Sequence, residues 1–519
     1  MAGHSAGGDL YNAAEDLIGR NLAAGRGDKP AFIDTNGSHS YGDLDRETKK
    51  FASALASAGV RMEERLLLCL LDTIDFPVCF LGAIRYGAVP IPVNTRLTAE
   101  DYDFMLEDSR ARVLVVSEAL LPSFLPHIKN HPFLETVLVS GKDGHGFTLL
   151  SDFVAGQSED FQTAPTRPDD MCFWLYTSGT TGKPKGAVHL QTHLIDTADL
   201  YAKPILEINE DDIGFSAAKL FFAYGLGNGL TFPMSVGATS VLLEGPPTAD
   251  AVCQILKEQK PTIFYGVPTL YGMLLASGAL PKKGEHSVRI ATSAGEALPS
   301  ELARRFTDVT GVRILDGLGS TEMLHIFLSN RIDDITPGAS GLPVDGYELR
   351  LVDDDGTVIE EAGQIGMLEV KGPTSAMFYW NQREKSRETF QGYWTRTGDK
   401  YTRDERGVYA HAGRSDDMLK VGGIYVSPVE VESAILKHES VLEVAVVGHA
   451  DHDGLIKPKA FVVTRQEITG DAALADEIKA FVKQALASYK YPRWIEFMDD
   501  LPKTATGKIQ RFKLRDGFE

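Results

Sequence analysis

The sequence predicts an α/β protein: a large N-terminal domain of two α/β layers plus a small β-rich unit, followed by a small α+β C-terminal domain. Three observations carry this expectation. Strand-sized apolar runs alternate with helix-sized amphipathic runs in two separate series, as parallel sheets covered by helices require. Between residues 338 and 409 the pattern changes to short strands with frequent turns, and beyond a glycine-bordered junction a further short α+β pattern begins. A chain of 519 residues is in any case too long for a single core.

Taken in order, the first series runs 66–71, 76–86, 89–93, 99–106, 113–116 and 136–139, with apolar strands of four to six residues between longer helical segments. Its first two members are the most membrane-like stretch of the chain. They contain Asp72, Asp75 and Pro77, so they read as a strand followed by a helix and not as a span. The second series comprises 240–243, Ala249–Glu258, 262–265, 270–275, 289–291, Ser300–Thr310 and 312–315. Turn signals such as Asp353-Asp354-Asp355-Gly356 and Ala362-Gly363-Gln364 punctuate the β-rich unit. The C-terminal domain should hold strands at 441–447 and 459–463 and helices at 429–436 and 472–486. No internal repeat, low-complexity tract or long charge block interrupts these patterns.

Composition excludes several classes of partner. With 52 basic and 72 acidic side chains the formal charge is −20, which repels nucleic acid and anionic membrane surfaces. Neither is an expected partner. Any anionic ligand must then be held by local positive sites, so lysines in glycine-rich contexts matter more than the total. Cys69, Cys79, Cys172 and Cys253 lie in apolar contexts without C-x-x-C spacing, which predicts buried free thiols and a reducing, cytoplasmic setting. Met1-Ala2-Gly3-His4 begins neither a basic n-region nor an apolar h-region, so no export signal is expected.

The stretch Tyr176-Thr177-Ser178-Gly179-Thr180-Thr181-Gly182-Lys183-Pro184-Lys185-Gly186 follows the apolar run Met171-Cys172-Phe173-Trp174-Leu175. Glycines let a backbone approach a polyphosphate and turn its N–H groups toward it, while hydroxyls and ammonium groups add hydrogen bonds and charge. The glycine spacing and Pro184 rule out a Walker A loop. This loop resembles the signature of the adenylate-forming (ANL) superfamily, which includes acyl-CoA synthetases, peptide-synthetase adenylation domains and luciferases. Further motifs extend the resemblance from about residue 30 to 515. Leu318-Gly319-Ser320-Thr321-Glu322 is similar to a family motif with an aromatic first residue, replaced here by leucine. Trp394-Thr395-Arg396-Thr397-Gly398-Asp399 and the run from Gly413 to Gly423 match two more. Leu501-Pro502-Lys503-Thr504-Ala505-Thr506-Gly507-Lys508 resembles the last.

The resemblance implies ATP, Mg²⁺ and coenzyme A as cofactors and assigns roles position by position. The nucleotide would be bound by Thr177, Ser178, Gly179, Thr180, Thr181, Gly182 and Lys183, with Asp399 and Arg414 on the ribose. Thr321 would contact phosphate, and Glu322 would hold the metal. Lys508 is the implied catalytic lysine, bridging carboxylate and α-phosphate. The implied division is an N-terminal domain 1–415, binding ATP and the acid, and a mobile catalytic-lysine domain 416–519 rotating about Asp416. Gly422 and Gly423 would let the pantetheine arm of CoA pass. Tyr425 stands where some relatives carry an arginine and receives no charge role.

Lys219-Leu220-Phe221-Phe222-Ala223-Tyr224-Gly225-Leu226-Gly227-Asn228 resembles the corresponding stretch of benzoate and hydroxybenzoate CoA ligases. A flat aromatic acid needs a narrow slot with apolar walls, which Ala223, Tyr224, Gly295, Gly319 and Ile326 would supply. His325 is either a pocket residue or a core histidine, and Phe221 and Phe222 read as core packing. The expectation is an AMP-forming benzoate-CoA ligase, a monomer or homodimer, with a lysine acetyltransferase acting on Lys508 as a possible partner. The alternatives are a hydroxybenzoate or other aryl-CoA ligase, or a non-catalytic nucleotide-binding protein.

Overall fold

The computed structural model describes residues 10–129, 131–177, 183–414, 417–421, 424–452, 455–465, 468–487, 489–503 and 509–516. The first layer is a five-stranded, wholly parallel sheet in the order Val89–Pro92, Arg65–Cys69, Val113–Ser117, Thr136–Ser140, Thr148–Leu149. Its strands alternate between two cores. Leu66 and Leu68 pack into one cluster with the helix Asp75–Tyr86, whereas Leu67 and Cys69 pack into another with Tyr102, Met105 and Leu106 of the helix Ala99–Ser109. A strand covered on both faces has no solvent side, which is why 66–71 is apolar throughout.

The second layer is a nine-stranded sheet. Its parallel part contains Pro30–Asp34, Thr239–Val241, Ile213–Ser216, Ile263–Gly266, Ile290–Ser293 and Ile314–Gly319, and antiparallel strands extend it at both edges, Gly37–Ser40 at one and Ile326–Ser329 and Leu342–Pro343 at the other. The two layers are not consecutive in the chain. Pro30–Asp34 precedes the whole first layer yet pairs in parallel with Thr239–Val241, tying the N-terminus into the second sheet. The helices Ala249–Glu258 and Ser300–Thr310 have the expected bounds. Thr248 caps the first of these through the Ala251 N–H, and Gly311, at φ +74°, ends the second in the left-handed region glycine enters without strain.

The β-rich unit is an antiparallel sheet of Glu348–Val352, Gly366–Lys371, Trp394–Arg403, Phe390–Gln391 and Tyr409–Arg414. The small C-terminal domain has its own core. Val441–Ala450 pairs antiparallel with Ile456–Thr464, and Trp494–Phe497 adds a parallel edge. The helices Pro428–Ile435 and Ala472–Ala485 pack Val431, Ile435, Ile478 and Val482 against Val446 and Val462. All four cysteines are buried and free. No helix of the described residues is long and apolar enough to cross a membrane.

Candidate active site

The buried strand Met171–Thr177 pairs antiparallel with Lys185–Leu190, placing Thr177 opposite Lys185 at the loop end of a hairpin. Ser178, Gly179, Thr180, Thr181 and Gly182, which join the two strands, lie outside the described residues, as do Asp416, Gly422, Gly423 and Lys508. Of the two loop lysines, the sequence singles out Lys183. In the structure the Lys183 ammonium stands 4.6 Å over the Phe104 ring, while Lys185 is the lysine turned toward the other predicted residues. Lys185 is half-buried, its Nζ 4.3 Å over the ring of Tyr379. Burial lowers its pKa, the Glu322 carboxylate works against that, and the neighbouring Lys385 and Arg414 charges add to the lowering.

Glu322 sits in the turn that follows the strand Ile314–Gly319. The Tyr379 hydroxyl donates to Glu322 Oε1 at 2.6 Å, and the Ala376 N–H donates to the Glu322 carbonyl at 2.7 Å. Burial, then the Glu322 charge, raises the Tyr379 pKa, so the phenol stays protonated and donates. On the other side of the turn His189 Nε2 donates to the Thr321 carbonyl at 2.8 Å. Lys185, Glu322, Tyr379 and Arg414 thus share one electrostatic neighbourhood, although they come from four separate parts of the chain.

Asp399 and Arg414 face each other across the strands Trp394–Arg403 and Tyr409–Arg414, with Arg414 Nη1 3.5 Å from Asp399 Oδ1. His411, which the sequence reading passed over, places Nε2 3.6 Å from the same oxygen. Gly398, next to Asp399 in the chain, is at φ +77°, and a Cβ there would stand 3.1 Å from the Arg414 guanidinium. Donor chemistry at Glu322 suits a hard cation. Among the described residues no group of three or more His, Cys, Asp or Glu is arranged to hold a metal; Mg²⁺ carried on phosphates takes one or two carboxylates, of which Glu322 can be one.

Of the six predicted slot residues, Gly319 and Ile326 lie on paired strands next to Ile290–Ser293, and Tyr224 reaches both Thr292 of that strand and the His325 ring. Ala223 and Tyr224 open a short helix, Ala223–Leu226, and the Tyr224 hydroxyl shares a 2.6 Å hydrogen bond with Thr292 Oγ1. Gly295, at φ +88°, is exposed just beyond that strand. Gly319 pairs with Ile326, and a Cβ on Gly319 would stand 2.6 Å from the His325 carbonyl oxygen, so no other residue fits without moving the backbone. His325 is buried, and desolvation lowers its pKa to about 3. It is neutral, with its ring against Tyr224, Tyr201 and Phe232. Phe221 is buried in the core as expected, 4.4 Å centroid to centroid from Phe222.

Known proteins resemble this chain along nearly its whole length. The description "AMP-binding enzyme" matches residues 20–380, and "AMP-binding enzyme C-terminal domain" matches 430–508. The chain is 59% identical over 508 residues to a benzoate–CoA ligase of Thauera aromatica, covering 98% of this chain and 96% of the relative. It is 48% identical over 512 residues to a 4-hydroxybenzoate–CoA/benzoate–CoA ligase of Rhodopseudomonas palustris, covering 98% and 94%. A crystal structure of a benzoate CoA ligase from Burkholderia xenovorans LB400 superposes with a TM-score of 0.91 at 52% identity, covering 98% of this chain and 100% of that one. With matches of this extent on both the large and the small domain, the chain belongs to the AMP-binding enzyme family, the adenylate-forming superfamily its motifs resemble.

Proposed function

We propose that this chain is an AMP-forming benzoate-CoA ligase. In the first step a carboxylate oxygen of benzoate bonds to the α-phosphorus of MgATP as the bond to the β-phosphate oxygen breaks, giving benzoyl-adenylate and pyrophosphate. In the second step the sulfur of CoA bonds to the acyl carbon, AMP leaves, and the thiol proton passes to solvent. One observation carries the reading. Within eight residues of chain lie Gly319, His325 and Ile326, three of the residues proposed to wall the acid slot, and between them the turn of Thr321 and Glu322, whose neighbours are His189 and Tyr379. An aromatic acid and a nucleotide phosphate would therefore meet across a single turn. The names of the two relatives and of the solved structure support benzoate as the acid.

In this reading Thr321 contacts the nucleotide phosphate and Glu322 would hold Mg²⁺, which when bound neutralises phosphate charge. Residues 177–183 with Lys185 cradle the polyphosphate, and Asp399 with Arg414 orients the ribose. Lys508, from a C-terminal domain of residues 416–519 turning about Asp416, bridges the two reacting anions. Gly422 and Gly423 give passage to the pantetheine arm. The four buried free thiols support a cytoplasmic setting. Monomer or homodimer, with Lys508 open to an acetyltransferase when disengaged, completes the proposal.

The test is benzoate-dependent ATP–pyrophosphate exchange, with hydroxybenzoates and octanoate as competing acids. Benzoate should exceed octanoate, and hydroxybenzoates should fall within roughly a few hundredfold of benzoate, because an apolar slot discriminates small groups weakly. Faster exchange with octanoate would overturn the aryl assignment. A second reading, turnover of hydroxybenzoate as a principal substrate, is favoured by His325 Nδ1 and Asn228 Nδ2, two buried atoms with no hydrogen-bond partner among the described residues. A hydroxybenzoate outpacing benzoate would select it.

A further inference from the structure

Behind the Thr321–Glu322 turn lies a buried histidine pair outside the set of residues assigned above. His189 is fully buried in the strand Lys185–Leu190, its ring stacked on Phe173 at 5.3 Å and 22°. Its Nδ1 is 3.0 Å from Nδ1 of His193, itself buried at the start of the helix His193–Thr197. Its Nε2 is 2.8 Å from the carbonyl oxygen of Thr321. Burial lowers both pKa values, that of His189 to about 4, so both rings are neutral near pH 7. A neutral ring carries one N–H, and a bare Nε2 facing a carbonyl oxygen at this distance would set lone pair against lone pair. The proton is therefore on His189 Nε2, which leaves His189 Nδ1 as an acceptor facing His193 Nδ1; the Leu190 N–H also approaches His193 Nδ1, at the longer distance of 3.4 Å.

The carbonyl this pair holds belongs to a turn that needs holding. The Thr321 oxygen also accepts the Leu324 N–H at 3.2 Å, and Leu324 is at φ +64°, a left-handed conformation that costs energy in a residue with a branched side chain. The strand bearing His189 also bears Lys185, so one rigid strand meets the turn twice: through Tyr379 with Glu322 at one end and through Thr321 at the other. We propose that His189, oriented by His193, is a positioning residue that fixes the Thr321–Glu322 turn relative to the phosphate hairpin and so sets the affinity for the magnesium nucleotide. The inference rests on the ligase reading for the roles of Thr321 and Glu322, but it concerns nucleotide binding and holds for any acid.

The experiment measures binding of α,β-methylene-ATP with Mg²⁺ by calorimetry to the full chain, alongside melting temperature and benzoate-dependent exchange. Three variants separate hydrogen bonding from packing. His189→Phe keeps the ring and removes the donor; His189→Gln places an amide N–H near the Nε2 position; His189→Asn draws the donor back from it. His189→Phe and His189→Asn should each weaken nucleotide binding by roughly ten- to a hundredfold, the range for residues that orient a ligating group, whereas His189→Gln should stay within about threefold of wild type. The exchange assay should show the KM for MgATP rising more than that for benzoate. Equal binding by the Gln and Asn variants, whether both strong or both weak, overturns the proposal and leaves His189 a packing residue, even if the Phe variant fails to fold. Wild-type protein that binds the nucleotide but shows no benzoate-dependent exchange would instead overturn the substrate reading and leave the binding comparison to decide on His189.

Discussion

Tyr379→Phe removes a single oxygen atom from the proposed metal site. The hydroxyl donates to Glu322 Oε1 at 2.6 Å, and the ring beneath the Lys185 ammonium remains in the variant, so the cation–ring contact at 4.3 Å survives. A hydrogen bond to a charged group contributes roughly 1.5–3 kcal/mol. Because Glu322 is only partly buried, water recovers some of this, and the low end applies. About 1.4 kcal/mol corresponds to a tenfold change, so the KM for MgATP should rise on the order of ten- to thirtyfold, with a steeper dependence on free Mg²⁺. Conversion of supplied benzoyl-adenylate and CoA to thioester, which needs no metal-bound triphosphate, should change less than about threefold. The assay is pyrophosphate exchange titrated in ATP and in Mg²⁺, run beside the thiolysis half-reaction. A folded variant whose KM for MgATP and Mg²⁺ dependence both match wild type would refute the reasoning, because Glu322 would then need neither Tyr379 nor a fixed orientation. Equal loss in both half-reactions would refute it differently, by making Tyr379 a general structural residue.

Three further outcomes follow from the same geometry. Gly319→Ala puts a Cβ 2.6–2.9 Å from backbone atoms of His325 and Ile326, an overpacking that costs about 1–3 kcal/mol; the melting temperature should fall and the KM for benzoate should rise more than that for MgATP, and an unchanged benzoate KM would remove Gly319 from the slot. Asp72 is fully buried beside Lys219, and desolvation raises its pKa from 3.8 to about 6, so its protonated form favours the folded state below that range and the contribution is lost as pH rises through about 6. Between pH 5 and pH 7.5 the wild type should lose roughly 1.4 kcal/mol relative to Asp72→Asn, measured as the difference between their urea unfolding curves, and a pH-independent difference would contradict it. Lys508→Ala should abolish exchange while sparing thioester formation from supplied benzoyl-adenylate; equal loss of the two would remove the two-state division of labour from the proposal.

What the sequence reveals, and what it hides, divides along the distance between interacting residues. The helices Ala249–Glu258 and Ser300–Thr310 were legible to the residue because their signals are local: an apolar stripe, a threonine cap before one and a glycine after the other. Pro30–Asp34 gave no sign of its place, since its partner strand lies two hundred residues away and parallel pairing leaves no mark on either segment. The motif residues Thr321, Glu322, Asp399 and Arg414 were legible by resemblance, but Tyr379, His411 and His189 were not. Tyr379 meets Glu322 across 57 positions and His189 meets Thr321 across 132, so spacing alone could not pair them. One signal was present. Lys185 and His189 fall on the same face of a strand that is otherwise apolar, and two polar side chains two periods apart on a buried face call for partners.

On the roles proposed above, the electrostatics of the slot give a reason for recruiting a residue from the small domain. Ala223, Tyr224, Gly295, Gly319, His325 and Ile326 include no permanently charged side chain, and burial holds His325 neutral far below pH 7. Such walls favour a flat apolar ring but offer nothing to a carboxylate. The positive charge on the nucleotide side is already engaged, Lys185 by the field of Glu322 and Arg414 by Asp399. Bringing a carboxylate to about 4 Å from a phosphate charge costs roughly 4 kcal/mol at an effective dielectric near 20, equivalent to nearly a thousandfold in rate. A cation fixed permanently in the slot would offset that cost, but it would also bind the free carboxylate tightly and remain beside the acyl group when a thiol has to approach. In the proposed mechanism a lysine carried on a separate domain would supply the charge for the first step and withdraw it for the second. The neutrality of His325 is thus the feature of the large domain that fits the role proposed for Lys508. A His325→Lys variant should accordingly bind benzoate more tightly, while its exchange rate at saturating benzoate falls. A faster rate at saturation would show that ground-state charge in the slot helps, and would remove this reason for the division of the chain into two domains.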